Sequence, residues 1–473
     1  MSPAVTPEED GPVVRRRKPS GMRAHRMLIG GFAACIAVGT VLLMLPAARA
    51  QPVAGGEAES LTWTEALFTS TSAVCVTGLT VVDTGSYLSP FGQLVVLILF
   101  QLGGLGIMTV STLLLIMSGS RPSLAAMAAT GEALGTSRAS EVLGMLRSVI
   151  LFTVAVEAVG AVLLAAFFTI ECPADRAAAP CAWSGLFHAV SAFCNAGFGL
   201  HADSLEGYRG AWGVNVVVMA LIVTGGIGFP VLRDLRRIFL ARQGAESRPT
   251  LSLHSKIVLV ATAALLVAGT LAFAATEWHG RLAGLPLGER VLASMFQSTA
   301  ARTAGFSTVG VGQLAPATLF LVMVLMFVGA SPCSTAGGIK TSTVGVLGAL
   351  VFSKLRGREE PCAFGRSIHP QSVARATTVA LLAGLVVLAF TWLMLVADGG
   401  RFGLHEVMFE VVSAFGTVGL STGITADLGT ASRLMLVALM FIGRLGPLTV
   451  VLSISRMDQP DRVQYPSETL LIG

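Results

Sequence analysis

Along the 473 residues, long apolar stretches alternate with shorter ones, and this alternation limits the folds open to the chain. Stretches long enough to cross the roughly 30 Å hydrocarbon core of a bilayer lie at 27–45, 91–117, 147–170, 212–232, 256–276, 315–352, 375–397 and 432–454. Between the members of each successive pair sits a segment too short and too polar to span, at 63–74, 182–194, 290–301 and 404–416. The order long helix, short helix, loop, long helix therefore occurs four times. Composition agrees, with 53% hydrophobic and only 12% charged residues, about half the roughly 25% charge of soluble domains. A soluble chain could not hide so much apolar surface, and disordered, collagen-like and coiled-coil classes are excluded as well. The expected fold class is an all-α polytopic membrane protein with eight spanning helices.

The loops that follow the short segments repeat residue by residue. Ser72-Ala73-Val74-Cys75-Val76-Thr77-Gly78-Leu79 aligns with Ser191-Ala192-Phe193-Cys194-Asn195-Ala196-Gly197-Phe198. The third copy is Thr299-Ala300-Ala301-Arg302-Thr303-Ala304-Gly305-Phe306, and the fourth is Ser413-Ala414-Phe415-Gly416-Thr417-Val418-Gly419-Leu420. The aligned glycines are 119, 108 and 114 residues apart. Four parallel copies predict helix–pore helix–filter loop–helix repeats around one pseudo-four-fold pore. The chain divides accordingly into a cytoplasmic N-terminus (1–26), repeat 1 (27–117), repeat 2 with its preceding cytoplasmic loop (118–240), repeat 3 with a broken last helix (241–352), repeat 4 (353–455) and a cytoplasmic tail (456–473).

Such a repeat points to a cation path. A short helix that enters a bilayer without crossing must return as irregular backbone, which is tolerated there only when buried in protein or lining a water-filled cavity. Four such loops on one axis can turn their carbonyls inward and replace a cation's hydration shell. The candidate ion-binding residues are Val76, Thr77 and Gly78; Asn195, Ala196 and Gly197; Thr303, Ala304 and Gly305; and Thr417, Val418 and Gly419. Glycine suits a loop that must adopt φ > 0 beside an unobstructed path. Neutral carbonyl ligands fit a large, weakly hydrated monovalent ion, whereas Mg²⁺ or Ca²⁺ calls for carboxylates, which these loops lack. The expected ion is thus a monovalent cation, bound through backbone carbonyls only.

These loops, with Gly419-Leu420-Ser421-Thr422-Gly423 closing the fourth, resemble the Trk/Ktr/HKT superfamily of potassium transporters over residues 27–455. The first repeat begins directly at the first long helix, which is more similar to the Ktr membrane subunits than to Trk ones. The resemblance implies K⁺ as the transported metal ion, Na⁺ as a second candidate and no organic cofactor in this chain, with one glycine per filter loop (Gly78, Gly197, Gly305, Gly419). It also implies a homodimer with a pore in each subunit and a cytosolic, nucleotide-binding regulatory ring as partner. With a single aligned glycine per loop, in place of Thr-Val-Gly-Tyr-Gly, the expected discrimination between K⁺ and Na⁺ is weaker than in strict potassium channels. Na⁺- or H⁺-coupled symport of K⁺ stays open beside channel-like uptake.

The sixth long stretch is interrupted by Gly329-Ala330-Ser331-Pro332-Cys333-Ser334-Thr335-Ala336-Gly337-Gly338-Ile339-Lys340-Thr341. Pro332 and the glycines break a helix. Either a kinked helix or a loop beneath the filter follows, and the resemblance implies the loop, as a gate: Ser334, Thr335, Ala336, Gly337, Gly338 and Lys340. Arg444 lies midway along the last stretch, where a cation is costly and functional by default. The resemblance places it below the filter, facing the gate; a buried pair with Glu157 is the structural alternative. Lys340 is expected near the cytoplasmic exit or snorkelling at the interface. Arg302 is expected to point away from the path and brace its loop, and His188 to pack rather than ligate.

Charge gives the sidedness. Lys and Arg concentrate in the termini and in alternate loops, while the other loops are net acidic, so the positive-inside rule places both termini in the cytoplasm. The run Arg15-Arg16-Arg17-Lys18 reads as an orientation signal rather than a nucleic-acid site; the bilayer is the expected partner, with no nucleic acid. Alanine is abundant and Arg far outnumbers Lys, in keeping with a bacterial inner (cytoplasmic) membrane protein. The stretch 27–45 ahead of Ala48-Arg49-Ala50 resembles a signal peptide, but at 19 residues it exceeds the usual apolar core and reads as a retained helix. Cys172 and Cys181 share an outer loop, as a disulfide or as two free thiols. Neither a P-loop nor an H-E-x-x-H motif occurs, so an enzyme or primary pump is not expected. Parallel copies argue against an inverted-repeat solute transporter.

Overall fold

The computed structural model describes residues 21–50, 61–106, 139–171, 181–241 and 250–447. Cys172, the tail 456–473 and the whole of 118–138 lie outside the described residues. The described chain is helical apart from one two-residue hairpin, β1 (Cys362–Ala363) paired antiparallel with β2 (Arg366–Ser367).

Each short segment of the sequence forms a short helix ending in an irregular loop. The first unit comprises α1 (Gly21–Met44), α2 (Trp63–Val74), the one-turn α3 (Thr84–Tyr87) and α4 (Pro90–Leu105). The second holds α5 (Ala139–Ile170), α6 (Cys181–Cys194), α7 (Trp212–Ile227) and α8 (Phe229–Ala241). The third holds α9 (Leu253–Glu277), α10 (Leu287–Ala300), α11 (Pro316–Phe327) and α12 (Thr341–Leu355). The fourth holds α13 (Pro370–Ala397), α14 (Leu404–Gly416) and α15 (Thr430–Leu445).

Local chemistry sets the helix starts. Thr62 and Glu65 form a reciprocal capping box on α2, which satisfies two otherwise orphan backbone donors. Proline opens α4, α11 and α13, where its missing N–H costs nothing. Glycine ends three of the four inner helices: Gly106, Gly228 and Gly446 follow α4, α7 and α15 with φ of 81°, 87° and 86°.

Among the described residues, three helices are long and apolar enough to cross a bilayer alone: Leu146–Ile170, Leu253–Glu277 and Pro370–Ala397. Trp212–Ile227 and Phe229–Phe239 reach that length only when taken together, and they are bent by 100° at the break between them. The other expected spans are shorter helices that stop at a glycine or a break, or run out of the described residues. The three long helices expose a broad apolar surface, with Val162 71%, Leu271 65% and Trp392 65% accessible. Lipid chains cover such a surface without penalty; water would not.

The helices close on themselves. Within each unit the long outer helix packs on its own short helix: α1 on α2, α5 on α6, α9 on α10, α13 on α14. Each inner helix then packs on the short helix of the next unit: α4 on α6, α7 on α10, α11 on α14, and α15 back on α2. α1 is built into this ring, because Ser70 donates to the Ile36 carbonyl at 2.8 Å and Gly39 faces Ser70 and Leu99.

Candidate ion pathway

The four repeated loops meet at the centre of this ring, and all twelve predicted loop residues come together there. A Cβ added to Gly78 would stand 2.5 Å from the Ala196 carbonyl oxygen, and one on Gly197 would stand 2.9 Å from that of Ala304. One on Gly305 would stand 2.5 Å from the Val418 oxygen, and one on Gly419 would collide with that of Thr77. Every glycine therefore abuts the carbonyl just before the glycine of the next loop, and the fourth returns to the first. No side chain fits at these four positions.

The loops share one backbone path. Gly78, Gly197, Gly305 and Gly419 have φ of 85°, 71°, 74° and 94°. Two residues earlier, Val76, Asn195, Thr303 and Thr417 also have positive φ, of 58°, 59°, 68° and 50°. Three of these four are β-branched, for which the left-handed region is a genuine outlier. Such strain costs of order 1–3 kcal/mol per residue and gathers at functional sites. The short helices hold it in place. Thr77, Ala196 and Val418 donate their N–H to the carbonyls of Ser72, Ser191 and Ser413 at 2.7, 2.7 and 2.8 Å. The third loop differs: Ala304 and Gly305 both donate to Ala300, at 3.0 and 3.4 Å.

On one side of the ring opens a cavity of about 340 Å³ lined by the four glycines together with Asp83, Asp203 and Glu206. Acidic groups at a mouth raise the local cation concentration. Its wall is braced by a carboxylate that the sequence reading missed. Glu410, wholly buried on α14, accepts from Ser421 Oγ at 2.6 Å, Thr422 N at 3.0 Å and Thr425 Oγ1 at 2.8 Å. His188 holds the same register position on α6, nine residues before its glycine, and its Nε2 accepts from Leu200 N at 3.4 Å. It packs against His201, Phe168 and Phe306, as expected for a core histidine. Glu410→Ala strands four donors, Thr422 Oγ1 at 3.2 Å being the fourth, and hydrogen bonds to charged groups are worth about 1.5–3 kcal/mol each. Thermal unfolding in detergent is expected to show a midpoint several degrees lower; an unchanged midpoint would show that the outer loop holds without the carboxylate.

On the opposite side, the sixth apolar stretch breaks after Phe327 and resumes at Thr341. The intervening segment is stitched to two inner helices, α7 and α15, and to the end of α6. Ser331 N donates to Gly226 O at 3.0 Å and Thr335 N to Gly225 O at 3.4 Å. Thr335 Oγ1 donates to Phe193 O at 3.3 Å, and Gly338 N to Gly443 O at 3.3 Å. Ser334 Oγ donates to Ser331 O at 2.6 Å. Gly337 abuts the Thr417 side chain, and Ala336 is buried. Lys340 turns back on the segment, its Nζ donating to Ala336 O at 2.5 Å, rather than reaching an interface.

Arg444 bridges the same region. It donates from Nη1 to Thr335 O and from Nη2 to Gly103 O. Its described partners are carbonyls, not Glu157, which instead accepts from Gln101 Nε2 at 3.1 Å. Arg302 donates to Gly329 O at 3.4 Å and lines a small cavity with Asn195 and Thr262 rather than the acidic mouth.

The inner helices reveal a second repeat that the sequence reading passed over. Gly103-x-x-Gly106, Gly225-x-x-Gly228 and Gly443-x-x-Gly446 match Gly329-x-x-Pro332. The first glycine of three of these motifs meets the carbonyl of Val74, Phe193 or Phe415 at the end of its own short helix. The second residue of each motif is Gly104, Gly226, Ala330 or Arg444, so three of the four matching positions are small and the fourth is an arginine.

An all-helical apolar fold closed around a ring of strained loops is that of a membrane ion transporter, not an enzyme. The chain belongs to the TrkH family of cation transport proteins, whose model matches residues 41–465. It is 36% identical over 450 residues to the Ktr system potassium uptake protein B of Bacillus subtilis, covering 95% of this chain and 96% of that one. It is 35% identical over 468 residues to the potassium/sodium uptake protein NtpJ of Enterococcus hirae, covering 98% and 100%. The crystal structure of the potassium transporter TrkH from Vibrio parahaemolyticus shares the fold, with a TM-score of 0.70, 17% identity, and 93% and 86% of the two chains covered.

Proposed function

We propose that the chain takes up K⁺ across the bacterial inner membrane, with both termini cytoplasmic. The observation that carries this reading is the closed ring in which each loop glycine meets the next loop's carbonyl. K⁺ passes along the carbonyls of Val76–Gly78, Asn195–Gly197, Thr303–Gly305 and Thr417–Gly419. Carbonyl dipoles compensate a monovalent ion's lost hydration without holding it too tightly to leave. The acidic mouth feeds this ring from outside, and the segment Ser334–Lys340 with Arg444 closes it from within. The guanidinium repels K⁺ while it ties the segment to two other inner helices. A homodimer and a cytosolic nucleotide-binding ring, implied by the family resemblance, set how often the segment opens.

Expression in a bacterium lacking its own K⁺ uptake, together with the regulatory partner, is expected to restore growth at low K⁺. Failure to restore growth, with the protein present in the membrane, would overturn the assignment. The name of the Enterococcus relative supports Na⁺ as a second ion. Uptake that follows an imposed Na⁺ gradient at fixed membrane potential would favour coupled symport.

A further inference from the structure

The helix α8 plays no part in the pathway above, yet its sequence Phe229-Pro-Val-Leu-Arg-Asp-Leu-Arg-Arg-Ile-Phe is sorted by face. At about 100° per residue, Val231, Asp234 and Ile238 fall together on one flank. That flank meets protein: Val231 is fully buried, and Asp234 Oδ2 accepts from Ser252 Oγ at 2.7 Å and Ser255 Oγ at 2.6 Å at the start of α9. Leu232, Leu235 and Phe239 fall together on a second flank, and Phe239 is 69% exposed. Arg233, Arg236 and Arg237 fall on a third flank and are exposed.

The placement of α8 says what covers the second and third flanks. It leaves α7 through Gly228 with a bend of 100°, on the side of the ring away from the acidic mouth. A helix that turns at right angles out of a span lies along the membrane surface. An exposed apolar edge beside a basic edge is the pattern of a helix lying in that plane. Guanidinium groups match phosphate in charge and geometry, and basic side chains next to a bilayer favour anionic lipids.

We propose that α8 is an interfacial lever that seats Leu235 and Phe239 among acyl chains while Arg236 and Arg237 hold the phosphates of anionic phospholipids. The two serine contacts of Asp234 fix its rotation, so both edges meet the bilayer at once. The lever bears on the broken segment directly. Phe229 N donates to Cys333 O at 3.3 Å, and a Cβ on Gly228 would stand 2.6 Å from Pro332 O. Lipid held on α8 therefore restrains the hinge against which Ser331–Cys333 rests.

The test places a reporter on the apolar edge. Phe239→Trp in the full chain, without any partner protein, is reconstituted in phosphatidylcholine vesicles. The vesicles carry brominated phosphatidylglycerol or an equal fraction of brominated phosphatidylcholine. The emission of the five native tryptophans is subtracted using the parent protein. Quenching is expected with both lipids, with about a tenfold preference for the anionic one. That preference is expected to fall towards unity in Arg236→Gln/Arg237→Gln and to survive largely in Arg236→Lys/Arg237→Lys. No quenching by either lipid would show that the edge faces water or a protein partner and would overturn the proposal. Equal quenching that the Gln pair leaves unchanged would overturn the headgroup contact. The readout involves no ion flux, so it stands apart from the transport reading.

Discussion

Gly305→Ser is expected to lower the preference for K⁺ over Na⁺ about tenfold. The added Cβ would stand 2.5 Å from the Val418 carbonyl oxygen and press on Gly197 and Gly419 as well. The backbone at φ of 74° adds a penalty of roughly 1–2 kcal/mol for an L side chain. Both effects displace the third and fourth loops together, and a loss of about 1.4 kcal/mol in discrimination is tenfold. Rubidium and sodium tracer uptake into proteoliposomes gives the ratio. A ratio equal to the parent's would remove Gly305 from the ion path. Gly423 has φ of 102°, but a Cβ there would meet nothing within 4 Å. It is the matched control: serine at 423 strains the backbone without touching the ring.

Arg444→Ala is expected to raise flux without the cytosolic partner tenfold or more. The guanidinium joins Thr335 on the broken segment to Gly103 on α4, and each charge-assisted bond contributes about 1.5–3 kcal/mol. Losing even one of them shifts a closed-to-open balance by about tenfold. The positive charge beside the broken segment disappears at the same time. Arg444→Lys keeps the charge but cannot fork between two carbonyls, so its flux is expected to fall between the two. A deletion within Ser334–Gly338 is expected to act like Arg444→Ala. Reduced or unchanged flux in Arg444→Ala, with normal assembly on size-exclusion chromatography, would count against the segment as a gate.

The sequence made the short helices legible because their apolar length and their glycine loops recur four times. The ranges 63–74 and 404–416 are those of α2 and α14, and α6 and α10 begin only one and three residues earlier than read. The break in the sixth stretch was legible because Pro332 has one physical meaning inside a helix. Gly106, Gly228 and Gly446 were not, since glycine is common within membrane helices and only backbone geometry distinguishes a hinge from close packing. The left-handed Val76, Thr303 and Thr417 ran against their own residue type; the surrounding ring, not local preference, imposes that conformation. Glu410 escaped because its donors lie 11 to 15 residues later, a pairing with no helical or strand period. Its signal was an acid in the apolar middle of a short helix, beyond the first-turn Glu406 that caps it.

The lone arginine has a consequence for how such a ring can be encoded. Four identical subunits would repeat any residue four times, so an arginine at this level would become four cations crowded about one axis. One continuous chain frees each quarter to differ: glycine at 104 and 226, alanine at 330, arginine at 444. Duplication within a single gene thus permits an arginine at one of the four matching positions and small residues at the other three, which a symmetric assembly could not.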